Sequence, residues 1–114
     1  MTITLKPQKL IVPCCKTIEF VIMDEIVYIE GLQNYTKLQL VDGSDHISTK
    51  NIGYYRERLS DSNFFPCHKS FLINVDRIIR YHKQGTVEMV DGTSIPIARR
   101  RKEEFLQIML DKCD

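Results

Sequence analysis

No CxxC pair occurs in the sequence, although it holds four cysteines: Cys14 and Cys15 are adjacent, and Cys67 and Cys113 stand far from them and from each other. Structural zinc sites present paired ligands two to four residues apart, so Cys67-His68 with Cys14 and Cys15 lacks the spacing that a metal needs. The same scatter favours reduced thiols over a disulfide framework. Glycine is scarce, five in all, and no Gly-rich loop stands ready to cradle a phosphate. GxSxG and HExxH are missing, and no pair of carboxylates is brought together by sequence alone. Cys67 and His68 would point to opposite faces of a strand, which disfavours a catalytic couple. The expectation is therefore a non-enzyme with no metal and no cofactor. Apolar runs such as "FVIM" and "IVYI" are far too short to cross a bilayer. No basic stretch followed by an apolar one opens the chain, so a cytoplasmic location without a membrane partner is expected. No Gly/Ser linker or low-complexity tract divides the chain, and residues 1–114 are expected to form one domain with one modest core.

What is present is an ordinary globular composition, 43% apolar and 27% charged. The net charge of +1 says little, but its distribution says more. Residues 64–102 hold eight Lys or Arg against three Asp or Glu, while residues 1–63 hold seven against eight. A localised excess of that kind is the footprint a phosphate-binding face leaves; a solvated face with chance clustering leaves the same one.

Strand signals dominate the chain. "KLIVP", "TIEFVIM" and "EIVYIEG" are rich in β-branched and aromatic residues. "NYTKLQLV" runs into Asp42-Gly43, a pair suited to the positive φ angles of a tight hairpin, and "SDHIST" returns. Ile52, Tyr55 and Leu59 then recur at helical spacing, with Thr49 as the expected N-cap. The second half repeats this plan: "TVEMV", Asp91-Gly92, "TSIPI", then a helix in "RRKEEFLQIMLDK". Between the halves, "FFPCHKSFLINV" and "RIIRYH" read as two further strands. The sum is a mostly β fold with two short helices, its strands arriving in hairpin pairs and not singly between helices.

The segment "ARRRKEEF" conflicts with its position. Arg99, Arg100, Arg101 and Lys102 place four cations at a helix start, where the aligned peptide dipoles already carry positive charge. An anion docked there resolves the conflict, because free N–H groups and arginine forks both suit phosphate. Screening by Glu103 and Glu104 is the alternative. Arginine also reads the O6 and N7 edge of guanine, so base readout belongs with phosphate contact. In "FPCHKSFLINV", Lys69 stands just ahead of an apolar run, where a core strand gains nothing from an ammonium group. His68 is expected to be a hydrogen-bonded anchor beside it, with Asn74 and Asp76 as turn-forming groups at the far end of the strand. "QNYTKL" supplies Asn34, Tyr35, Thr36 and Lys37 at the start of a strand, a polar, aromatic loop able to reach a groove; Tyr35 laid over the core is the other reading.

Three ordered segments, "DEIVYIEGLQNYTKLQLVDG", "FFPCHKSFLINVDRI" and "DGTSIPIARRRKEEF", together resemble the LytTR (LytR/AlgR-type) DNA-binding domain of bacterial transcription regulators. The resemblance covers about residues 10–112. It implies an elongated stack of small antiparallel sheets, about ten strands with short helices. Loops and strand ends then enter successive major grooves. Carried over by position, the loop around Tyr35, Lys69 and Arg99–Arg100 match where the family touches DNA. It also implies two protomers on paired direct repeats of double-stranded DNA, and a receiver domain or histidine kinase upstream. Sequence-specific DNA binding in transcription regulation follows, as the output domain of a two-component response regulator or as a stand-alone regulator. Ala98 departs from the pattern, where serine is frequent before the arginines. Gly53-Tyr54-Tyr55 departs too, which bears on how regular the first helix is, and the sequence holds no receiver domain. From the residues alone, the competing function is a small β protein–protein interaction module whose basic face meets an acidic partner.

Overall fold

The computed structural model describes residues 8–113 and arranges them as ten strands in three antiparallel sheets with two helices. β1 (Lys9–Pro13) and β2 (Ile18–Ile22) make a two-stranded sheet. β3 (Ile26–Gly31), β4 (Thr36–Leu40), β5 (Asp45–Ser48), β6 (Phe64–His68) and β7 (Phe71–Asn74) make the central sheet, in the order β5-β4-β3-β7-β6. β8 (Ile78–His82), β9 (Thr86–Met89) and β10 (Ser94–Pro96) form the third sheet. Helix α1 (Ile52–Arg58) follows β5, and α2 (Lys102–Lys112) ends the chain. The mostly β class and the strand count are as the resemblance implies, and the extents of 47 × 41 × 25 Å make the longest axis nearly twice the shortest.

The central sheet is covered on both faces, which is why its inner strand reads as an unbroken apolar run. On one face Leu10, Val12 and Val21 of the two-stranded sheet, with Tyr55 and Leu59, pack on Ile26, Ile29, Leu38 and Leu72. On the other, Val87, Met89 and Ile95 of the third sheet and Phe105 of α2 pack on Val27, Tyr28, Phe65, Cys67 and Ile73. Side-chain alternation deals Phe64 and Leu72 to the first core and Phe65, Cys67 and Ile73 to the second. In β3 the alternation breaks, and Val27 and Tyr28 both join the second core. The register with β4 shifts between Ile26 and Tyr28, and such a bulge re-aims one side chain.

"FFPCHKSFLINV", expected as one strand, is a hairpin. Phe64 stands opposite Asn74 and His68 opposite Phe71, leaving Lys69-Ser70 as the turn. Among the described residues only glycines have positive φ, so this is not the primed turn that two-residue hairpins prefer. The Ser70 N–H donates instead to His68 Nδ1 at 3.2 Å, and the register shifts between Phe65 and His68. His68 thus anchors the turn.

The two Asp-Gly turns match in detail. Gly43 has φ 93° and Gly92 φ 89°, in the region that favours glycine. Asp42 Oδ1 accepts from the Ser44 N–H at 2.9 Å, and Asp91 Oδ1 from the Thr93 N–H at 3.0 Å. The Val41 N–H donates to Glu25 O and the Val90 N–H to Arg77 O, both at 2.9 Å. A three-residue 3-10 turn (Met23–Glu25, then Val75–Arg77) precedes each meander, and each first strand is bulged after its leading isoleucine. One unit of turn, three strands and helix therefore occurs twice, a deeper likeness than hairpin chemistry alone.

Two further expectations are corrected. Thr49 does not cap α1: the Asn51 side chain accepts from the Tyr54 N–H at 3.1 Å. Thr49 instead bonds Pro13 O through its N–H at 2.9 Å, tying β1 to the end of β5. The last α-helix begins at Lys102, and Arg99–Arg101 form a separate 3-10 turn before it. Among the described residues no helix is long and apolar enough to cross a membrane, and no group of three or more His, Cys, Asp or Glu is placed to hold a metal. All four cysteines are free thiols.

Candidate nucleic-acid interface

Antiparallel pairing brings the β3–β4 loop and the turn that carries Lys69 to one end of the central sheet. Gly31 pairs with Thr36, Thr36 with Ser48, Glu30 with Phe71, and Phe71 with His68. The Gly31 N–H donates to Ser70 O at 2.8 Å, so the β3–β4 loop carrying Asn34 and Tyr35 lies beside the turn carrying Lys69. The start of α1 lies there too, close enough that a Cβ on Gly31 would stand 3.0 Å from Ile52 Cγ2. The Ala98 N–H donates to Cys67 O at 2.7 Å and fastens the Arg99–Arg101 turn to β6.

A cleft opens between these pieces, lined by Arg56, Pro66, His68, Lys69, Ala98, Arg100 and Arg101. Lys69, Arg99 and Arg100 are exposed. Among the described residues no carboxylate oxygen lies within 4 Å of Arg56, Lys69, Arg99 or Arg100. Arg101 differs, since its Nη1 lies 3.2 Å from Glu104 Oε1. Lys102 turns away, its Nζ donating to Lys83 O at 3.2 Å. The screening that Glu104 offers therefore reaches Arg101 and leaves the two preceding arginines unpaired. No side chain caps the first turn of α2, whose N–H groups add to the positive field beside them. Unpaired cations around a concave surface repel one another, and an anion docked among them relieves that repulsion.

The loop residues divide. Tyr35 is 52% exposed and not laid over the core, and its carbonyl accepts from the Leu32 N–H at 2.9 Å. Asn34 beside it is also exposed. Lys37 lies within β4, half-buried, with Nζ 5.8 Å from the centre of the Tyr28 ring. Burial pulls its ammonium down, but Tyr28, Glu30 and Asp45 outweigh that and hold it above the ordinary lysine value. Its ammonium therefore stays charged beside the loop. Beneath the arginine turn, burial pushes the Cys67 thiol up to about 12, and its Sγ donates to Pro96 O at 3.6 Å. It is a packing group there.

Sequence reasoning missed Arg56. It lies on α1, and its Nη2 donates to Lys69 O at 3.0 Å. Its place at the cleft depends on how α1 docks, for which no local signal exists.

The small β-sheets thus carry Lys69 and Arg100 on turns that border one cleft, with Arg56 of α1 beside them. The LytTr DNA-binding domain family matches residues 16–110, more than four-fifths of the chain, and the chain belongs to that family. DNA binding in transcription regulation is the function that membership carries. The fold also matches that of a LytTr DNA-binding domain from Bacillus cereus, with a TM-score of 0.74 over 90% of this chain and 96% of that one, at 17% identity. None of the curated proteins compared with the chain matches it.

Proposed function

We propose that the chain is a single-domain, cytoplasmic DNA-reading module that binds duplex DNA sequence-specifically through one end of its central sheet. Lys69, Arg99 and Arg100 are the principal contacts. Asn34 and Tyr35 approach from the flanking loop, Arg101 serves phosphate, and Lys37 steadies the base of that loop. Two protomers occupy paired direct repeats, and a receiver domain or a histidine kinase supplies the upstream signal. The observation that carries this reading is the convergence of Lys69 and Arg100 on one cleft with no carboxylate of the described residues within 4 Å of either.

Selection of duplexes from a random pool, followed by footprinting, tests it: two spaced copies of one short element are expected. Capture of an acidic protein with no preference for any duplex would replace this reading with the interaction-module one. Within the selected site, alanine at whichever of Arg99 and Arg100 reads a base edge should cost about 1–3 kcal/mol of binding and relax the base preference at one position, whereas alanine at one that serves phosphate should weaken all duplexes alike. Equal losses on selected and random duplexes for both variants would confine the arginines to phosphate.

A further inference from the structure

Arg56 is the cation at this edge with the least local reason to be there. It sits in the last turn of α1, and its bond to Lys69 O uses one of five guanidinium N–H groups. A carbonyl contact needs only a donor, which an uncharged side chain supplies as well. The charge is what calls for explanation, since no carboxylate among the described residues lies within 4 Å of it. The cleft it lines with Lys69 and Arg100 thus collects cations from three separate elements. Two hydrogen bonds hold those elements in place: Arg56 to Lys69 O, and the Ala98 N–H to Cys67 O. Donors converging from several directions suit a tetrahedral phosphate; a flat base edge calls for one in-plane fork.

We propose that this cleft holds one backbone phosphate of bound DNA, with Arg56 as a direct contact that also fixes the Lys69 turn. The proposal rests on the duplex-binding reading above. It is tested by titrating wild type, Arg56→Ala and Arg56→Lys against a selected and a random duplex over graded salt, with thermal melts alongside. Loss of one phosphate contact removes about 0.9 from the slope of log K against log salt. Arg56→Ala should therefore bind both duplexes roughly eightfold more weakly at 0.1 M salt, with their ratio unchanged, and Arg56→Lys should restore the slope. In duplexes carrying single neutral methylphosphonates, one position should weaken wild type more than it weakens Arg56→Ala, the signature of a coupled pair, while every other position should cost the two proteins the same. A wild-type slope in Arg56→Ala, or the same penalty at every methylphosphonate position in both proteins, overturns the phosphate site while wild-type binding stands. Failure of wild type to bind any duplex would instead overturn the functional reading beneath it. Should Arg56→Ala not fold, Arg56→Gln takes its place, because it keeps a donor for the Lys69 carbonyl and drops the charge.

Discussion

Asn74 ties two strands of the central sheet together with a single amide. It is 2% exposed, its Nδ2 donates to Ile26 O at 2.9 Å, and its Oδ1 accepts from the Asp76 N–H at 3.1 Å. Asn74→Ala would strand a buried carbonyl and an amide, which should cost about 1–3 kcal/mol in urea unfolding. A loss within a few tenths would show that water replaces both bonds. Cys67 poses the converse case, a nucleophile made inert by burial. Because its folded-state value is raised from 9.0 to about 12, the stability tied to the neutral thiol is complete below about pH 9 and declines as pH rises from there. At pH 8 a thiol reagent should label the exposed Cys15 and Cys113 quickly and Cys67 only at the rate of unfolding; prompt labelling of a third thiol at the pace of those two, assigned to Cys67 by mass, contradicts the packing. At this scale Lys69, Arg99 and Arg100 were legible because each is a charge at odds with its immediate neighbours in the chain. Arg56 was not, being an ordinary helix residue until α1 docks.

Helix α1 and the β6–β7 hairpin are the elements on which the site's geometry turns, and the sequence describes them unevenly. The Asp-Gly hairpins announce themselves because their glycines must adopt positive φ. Lys69-Ser70 turns without positive φ and with no glycine, so nothing in "FFPCHKSFLINV" marks the reversal. Thr49 and Asn51 are both good N-caps by type, and the choice between them is made by Pro13, whose carbonyl claims Thr49. The docking of α1 is gauged at Gly31, where an added Cβ would meet Ile52 Cγ2 at 3.0 Å and Ile52 Cβ at 3.1 Å. Gly31→Ala must push the start of the helix away from the sheet, and overpacking of this sort costs about 1–3 kcal/mol. Chemical denaturation checks the cost, and unchanged stability would mean that Ile52 rotates aside without disturbing the helix.

Across the whole molecule, the repeated unit explains why the cationic edge draws on both halves. The first copy gives its helix, and with it Arg56; the second gives the turn before its helix, with Arg99 and Arg100. The hairpin between the copies gives Lys69. Net charge is only +1, so attraction to DNA has to come from placement and not from the total. Lys112 offers the control. It lies at the opposite end of the central sheet, its Nζ 3.1 Å from Asn63 Oδ1 and 3.8 Å from Asp76 Oδ1. Strands of four to six residues rising about 3.3 Å each separate the two ends by roughly 15 Å, beyond the Debye length of about 10 Å at 0.1 M salt. Lys112→Gln should therefore leave duplex affinity and its salt slope unchanged, while Lys69→Gln, removing the same formal charge, should lower the slope by about 0.9. Equal effects from the two substitutions in the same salt titration would mean that DNA senses the net charge of the chain and not this edge.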